Sequence, residues 1–410
     1  MSLQPYRDVL GRPGVRSLLA VCLLARIPIT AAPIAVTLHV VLDLHLGFAR
    51  SGLVAAVSAV GTALGAPLLG SAMDRFGLRP VLVVTTIAEG AFWLSAAHLS
   101  YTLLALAAFF SGLLALPVFT LARQSLAALL PPSERQAGFS LDSMSVEVSF
   151  ALGPALGIVV ITQAGADVAF AGLAALLVAS GLALVKLDPP VQGEEGVGPT
   201  AGARRPATGA RPRMRQWFSG RALAILLATF GATLTLVGTD TAFTATMRAY
   251  GEIRLLGLVT AVCCVASLVG GFVYGMSGRR IDPLVLLALL AALTVPVALA
   301  GQWWQLALLA VPTGVFCAPL ISSTAEALTL VTPASVRGQV MGVHACALTI
   351  GNAVGAPLVG LIVDHSAPKW GFVGIGLAGL GVALLGLAAP SRRRDHLRQE
   401  PSRPGAVVTA

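Results

Sequence analysis

The stretch Gly70–Pro80, GSAMDRFGLRP, sets Asp74, Arg75 and Arg79 between two long apolar runs, with Gly70 and Gly77 on either side of the first two charges. Charge confined so narrowly raises the question of what solvent the flanking runs face. The 410 residues are 56% hydrophobic and 11% charged, against about 25% charged in an ordinary soluble domain. No soluble core could hide that much apolar surface. In lipid every backbone N–H and C=O must be paired inside the spanning structure, so only helices and closed barrels cross. Barrel strands would alternate over segments of about ten residues. This chain has near-continuous apolar runs of about twenty, the length that spans a hydrocarbon core as helix. GSAMDRFGLRP is then a short polar connection at a membrane face.

Twelve such runs are predicted as membrane helices: Val15–Leu42, Ser51–Met73, Pro80–His98, Thr102–Ala122, Phe139–Thr162, Val168–Leu187, Ala222–Met247, Leu255–Met276, Pro283–Ala300, Trp304–Ala325, Val340–Val363 and Gly371–Ala389. Internal Pro and Gly do not count against them, because both are common in membrane helices. The first run is too long for a signal peptide and carries Arg26, so it reads as a retained first helix. The longest polar stretch, Asp188–Gln216, is rich in Pro, Gly, Ala and Arg and has no apolar period, as in a flexible linker. The expected organisation is therefore a six-helix half over 1–187, a cytoplasmic linker over 188–220, a second six-helix half over 221–390 and a disordered cytoplasmic tail over 391–410.

Basic residues predict the orientation. With the N-terminus cytoplasmic, 22 of the 27 Lys and Arg fall on the cytoplasmic side. Arg123, Arg135 and the linker arginines are among them. Four fall opposite, Arg50, Arg248, Arg254 and Lys369, and Arg26 lies within a helix. This is the asymmetry of the positive-inside rule; it predicts a multi-pass protein of the cell membrane with both termini cytoplasmic. The net charge of +9 is on this reading topological, with no nucleic-acid partner, since the charges are scattered over loops and tails.

Catalytic signatures are sparse. All five cysteines, Cys22, Cys263, Cys264, Cys317 and Cys346, fall within predicted helices without C-x-x-C spacing, so no disulfide or metal site is expected. There is no G-x-x-x-x-G-K-[ST], H-E-x-x-H or G-x-S-x-G, which argues against an ATP-driven pump within the chain and against those hydrolase classes. His39–Asp43, HVVLD, could carry His–Asp acyl-transfer chemistry, but its place at a helix end reads better as an interfacial terminus. A non-enzyme without cofactors is expected.

Internal repetition supplies the next constraint. LPPSERQAG (Leu130–Gly138) precedes the fifth helix and VTPASVRGQ (Val331–Gln339) the eleventh, with Arg135 and Arg337 separated by 202 positions (337−135). GPALG from Gly153 matches GAPLVG from Gly355 at the same offset, and Gly70 and Gly77 pair with Gly271 and Gly278 at 201 (271−70). The halves read as parallel copies, a plan known in one large transporter class, whose site lies between the halves near the midplane.

On these residues the chain resembles the Major Facilitator Superfamily over essentially its whole length. GSAMDRFGLRP resembles the signature of the loop between helices two and three, with Gly70, Asp74, Arg75, Gly77 and Arg79 matching and Leu78 standing in a usually basic place. The second copy has Gly275 where Asp74 aligns. SFALGPALGI, Ser149–Ile158, resembles the fifth-helix signature of the drug/proton antiporter branch through Gly153, Pro154 and Gly157, while Ser149 and Ile158 depart from it. FSLDSMSVEVSFALGP is similar to uncharacterised actinobacterial members, which implies no substrate. The resemblance implies an all-α integral membrane fold of twelve helices in two pseudo-symmetric six-helix halves. It also puts helices one, four, seven and ten around a central cavity. Asp74 would face the start of helix eleven, near Arg337, where N–H groups and the helix dipole favour an anion. That contact would latch the outward-facing state and break on inward opening.

Charges inside membrane helices are costly, about 2.5–3.5 kcal/mol each at the centre on insertion scales, and are functional candidates by default. Arg26, Glu89 and Glu147 lie about ten residues from a helix end, roughly 15 Å deep, near the midplane. Asp142 and His344 are shallower, Asp240 sits toward the outer end of helix seven and Glu326 toward the inner end of helix ten. Arg26, Thr30, Pro33 and Thr37 share one helix face, as do Thr229, Thr233, Asp240 and Thr244. These stripes read as cavity lining, with threonine-mediated helix packing as the alternative. Glu147 is the expected coupling acid, with Arg26 as its partner or as the substrate's counter-charge; Glu89 or Asp142 is the rival assignment. The predicted function is secondary active transport, as a monomer in the bilayer, of a small lipophilic or amphipathic compound exported against protons. The alternatives are a small polar metabolite, such as a sugar or amino acid, and a non-transporting receptor or scaffold.

Overall fold

The computed structural model describes residues 3–191, 218–333 and 336–388. A short helix, Gln4–Gly11, precedes twelve longer ones. The first six are α1 (Val15–Leu38, extended by a π-helical turn His39–Asp43), α2 (Phe48–Phe76), α3 (Leu78–Ala96), α4 (Tyr101–Leu113 and Val118–Leu129), α5 (135–164) and α6 (166–187). The last six are α7 (Gly220–Ala249), α8 (Leu256–Ser277), α9 (Pro283–Thr294, tightened to 3-10 over Val295–Leu299), α10 (Trp303–Val331), α11 (Arg337–Asp364) and α12 (Pro368–Ala388). All twelve predicted runs are helices, most of them a few residues longer than the apolar pattern suggested. The expected linker falls mainly, and the expected tail wholly, outside the described residues.

Local chemistry explains the punctuation. α2 and α3 are joined through Gly77 alone, and α5 and α6 through Gly165 alone. Both glycines have left-handed φ, 89° and 84°, which a side chain would strain. α4 departs from the single predicted run by breaking between Leu113 and Val118. Pro117 at the break lacks an N–H and disfavours helical backbone in the residue before it. α9 is the shortest span, but its 3-10 turn rises faster per residue, so the whole of it covers about 28 Å.

The bundle is inside-out by soluble standards. Ile87, Leu308, Leu384 and Leu385 are exposed, whereas Arg26, Asp142 and Arg123 are buried. Apolar outer surface on this scale needs lipid against it. Between helices, small residues allow close approach. α1 crosses α5 at Gly153 and Gly157, and α7 crosses α11 at Gly351 and Gly355. The repeat appears in the hydrogen bonds as well. Thr30 donates to Ser149 O across α1–α5 (2.7 Å), and Thr233 donates to Leu348 O across α7–α11 (2.9 Å). Between the two sets of six, the seams are α2 against α11 and α5 against α8.

Candidate functional site

At one end of the bundle, Asp74 near the end of α2 reaches the start of α11. Its Oδ1 accepts from Gly338 N at 3.0 Å and its Oδ2 from Gln339 N at 2.8 Å. Both donors belong to the first turn of α11, where N–H groups lack helical partners. Gln124 Nε2 of α4 also lies 3.4 Å from Asp74 Oδ1. The approach depends on Gly70, because a Cβ there would strike Gly338 O. Arg79 pairs with Asp188 at 3.0 Å, with both side chains largely solvent-facing. Arg75 lies over the Phe76 ring at 5.1 Å.

Deeper along the same seam lies a buried charge network. Arg26 Nη2 meets Asp142 Oδ1 at 2.5 Å and Arg26 Nη1 meets Ser145 Oγ at 2.6 Å, with both members of the ion pair 0% exposed. The guanidinium also lies 4.9 Å from the centre of the Phe119 ring. Arg123 Nε reaches the second oxygen, Asp142 Oδ2, at 3.3 Å, and its Nη1 lies 3.2 Å from His344 Nδ1. A guanidinium only donates, so Nδ1 accepts and the imidazole proton sits on Nε2. Nε2 faces Thr324 Oγ1 at 3.0 Å, and that hydroxyl donates to Ile321 O. The network therefore runs from α1, α5 and α4 into α11 and α10, with two guanidiniums sharing one carboxylate.

This arrangement corrects two expectations. Arg26 is paired with Asp142, not with Glu147. Asp142 and Ser145 are three residues apart and share the α5 face turned to α1. Glu147, five residues from Asp142, points about 140° away. Arg123 is not a loop charge: it is buried within α4, which continues past its predicted end. Arg135 likewise is buried at the start of α5, donating to Leu130 O. Arg123 is the member that the apolar pattern missed; His344, expected within its helix, is joined to it. The signal for Arg123 was its position before a further turn of helix-compatible residues, QSLAAL.

Glu147 crosses the other seam. Ser267 Oγ of α8 donates to its Oε1 at 2.8 Å, and the same hydroxyl accepts from Ala318 N of α10 at 3.2 Å. Asp240 lies on α7. Asp240 lines a cavity of about 550 Å³ with Val237, Thr241, Thr244, Arg248 and Asp364. The cavity lies at the end of the bundle opposite Asp74, where α7 and α11 finish.

The remaining candidates sit apart. Glu89 accepts from Trp93 Nε1 one turn along α3 at 2.7 Å. Thr30 and Thr233 are buried, with their hydroxyls spent on backbone carbonyls of α1 and α5 and of α7 and α11. They serve helix packing, the alternative reading of the stripes, and only Asp240 and Thr244 of the second stripe line open space. Gly153 meets Thr30 and Ile27 O, and Gly157 meets Ile34 and Ala31, so GPALG is a crossing point of α1 and α5; Pro154 lies inside α5. His39 Nδ1 lies 2.8 Å from Asp43 within the π-helical turn that ends α1. Among the described residues no group of three or more His, Cys, Asp or Glu is placed to hold a metal ion.

Twelve apolar helices in two repeating sets of six, with charges buried along the seams between them, define a multi-pass helical membrane protein. The model for the Major Facilitator Superfamily matches residues 18–253 and 225–409, and the chain belongs to that superfamily of membrane transporters. No curated protein matches it. Among solved structures, it is similar to the human organic anion transporter MFSD10 (TETRAN), at 16% identity and TM-score 0.70 over 92% of this chain and 99% of that one. A bacterial homologue of the iron transporter ferroportin, in an outward-facing state, superposes with TM-score 0.71 at 14% identity, covering 92% and 99%. The proton:xylose symporter XylE superposes with TM-score 0.69 at 14% identity, covering 92% and 96%. At these identities the likeness establishes the fold.

Proposed function

We propose that the chain is a secondary active transporter that exports a small lipophilic or amphipathic compound in exchange for protons by alternating access. The observation that carries this reading is the hydrogen bond from Ser267 of α8 to Glu147 of α5, a carboxyl held across the boundary of the two halves, with a second acid, Asp240, lining a cavity at the end of the bundle opposite Asp74. A carboxyl at the boundary between two moving bodies changes its surroundings when they rock, as a proton-coupling group must. We read the Asp74 end as cytoplasmic, from the distribution of Lys and Arg. The described conformation is then outward-facing. Asp74 on α11 and the Arg26–Asp142–Arg123–His344 network close the cytoplasmic side, and the Asp240 cavity opens outward. Inward opening requires both contacts to separate. Gly70, Gly77, Arg75 and Arg79 shape and anchor the Asp74 latch, while Gly153, Pro154 and Gly157 hold α1 to α5 within one half.

A second reading, transport of a small polar metabolite, is favoured by three charged residues of the cavity wall, Asp240, Arg248 and Asp364. Proteoliposomes under an imposed pH gradient, without nucleotide, test both against a panel of lipophilic dyes, sugars and amino acids. Gradient-driven, saturable flux of the dyes supports the first reading. Flux of sugars or amino acids alone supports the second. Flux that ignores both pH gradient and membrane potential refutes proton coupling, and no saturable flux leaves a receptor or scaffold. Glu147→Gln is expected to abolish gradient-driven accumulation while exchange survives; intact coupling in that variant refutes the assignment of Glu147.

A further inference from the structure

The two seams are closed by unlike devices. In the first repeat, Asp74 grips the start of α11. In the second, the aligned position is Gly275, so α8 offers no acid from that position to the start of α5. The space beside Gly275 is taken by the short helix Gln4–Gly11. A Cβ on Gly275 would collide with Tyr6 Oη and would lie 2.8 Å from Ser140 Cβ of α5. Tyr6 is buried; its hydroxyl lies 2.7 Å from Phe272 O and 3.2 Å from Gly271 O, and its ring stacks on Phe272 at 5.1 Å and 12°. Val9 of the same helix is fully buried. The other end of the short helix is tied to the first half, where Arg12 forks onto Glu134 just before α5, at 2.6 and 3.0 Å.

We infer that the segment Gln4–Arg12 is a strap that replaces the missing acid latch, holding α8 to the first half and closing the α5–α8 seam through Tyr6. The inference rests on the reading of the Asp74 end as the end that opens and closes. The strap's anchors lie on opposite sides of that seam: Glu134 moves with α5, Gly271 and Phe272 with α8. Separation at this end must therefore pull Tyr6 out of its slot or break the Arg12–Glu134 pair. Gln136 supplements the strap from α5 itself, its Nε2 donating to Tyr274 O at 2.8 Å and to Arg279 O at 2.9 Å. The glycine at position 275 and the presence of Tyr6 are thus one arrangement, because a side chain at 275 would occupy the tyrosine's place.

The test is a distance measurement on the full chain in lipid nanodiscs, with no substrate added. Spin labels at Ser133 and Arg279, both exposed and on either side of the seam, report the separation of the halves. Tyr6→Phe keeps the ring and removes the hydrogen bonds. It is expected to raise the ratio of open to closed populations about fivefold, the equivalent of one net hydrogen bond. Tyr6→Ala should exceed it. Asp74→Asn should act on the same equilibrium from the other seam, and the double variant should multiply the two effects. A distribution unmoved by Tyr6→Ala overturns the strap, including the case in which the melting temperature falls, since that would show a merely structural role. If Asp74→Asn moves the distribution and neither Tyr6 variant does, the strap alone fails. If none of them moves it, the reading of this end as the gate fails. Absence of proton coupling in flux assays leaves the measurement, and the strap, untouched.

Discussion

Asp142→Asn removes the one carboxylate shared by two buried guanidiniums. In the native network Asp142 is 0% exposed, Arg26 0% and Arg123 3%, at 2.5 and 3.3 Å. Breaking a buried ion pair by deleting one partner costs about 3–5 kcal/mol, because it leaves a buried charge without compensation. Here two such charges are left, facing each other and an imidazole whose Nδ1 has no proton to give. The asparagine can accept from one guanidinium through its remaining oxygen, but its NH2 group opposes the other. The loss should therefore reach at least the middle of that range. With an unfolding entropy of about 2.1 cal/mol/K per residue, 4 kcal/mol corresponds to roughly 5 °C in melting temperature for a chain of this length. Thermal unfolding of detergent-purified protein reads this directly. Adding Arg123→Gln should recover part of the loss, since it withdraws one of the two stranded charges. Unchanged melting in Asp142→Asn, or a full additive loss in the double variant, would refute the shared-carboxylate account.

The other predictions are smaller in scope. Asp74→Asn loses charged hydrogen bonds worth about 1.5–3 kcal/mol, and should shift the conformational ratio toward opening at the Asp74 end by about tenfold or more; cysteine accessibility at that end reads it. Gly70→Val drives a side chain into Gly338 O, a backbone atom that cannot yield, so it should open the same seam without changing any charge, and the same accessibility assay reports it. Glu89→Gln retains an oxygen acceptor for Trp93 and lies away from both seams, so gradient-driven flux should match the parent protein. Asp240→Asn should weaken binding of cationic members of the ligand panel more than neutral ones, measured by thermal shift, because only bound ligands stabilise the fold.

The twelve spans were legible in the sequence because lipid imposes a minimum apolar length that random sequence does not meet. The repeat was legible because Arg135 and Arg337 both open a helix at matching positions. The partner of Asp74 followed only from the family pattern. What could not be read is which helix face meets which neighbour. Periodicity places Glu147 and Asp142 on different faces of α5, but nothing in one sequence says that one face meets α1 and the other α8. Hydropathy leaves Arg123 outside the span because it counts charges and not partners. A break at Pro117 lengthens α4 and carries Arg123 inward, where Asp142 and His344 satisfy it.

The connections on the cavity side have a consequence for how anything reaches the interior. Between α1 and α2 that face offers only residues 44–47, between α5 and α6 the single residue Gly165, and between α9 and α10 residues 300–302. Among the described residues there is no loop on that side long enough to fold over an entrance. A visiting molecule meets bare helix ends, so its admission depends on the tilt of whole helices. An antibody or toxin would find few epitopes on that face, and a tag placed in these turns would act as a wedge between spans.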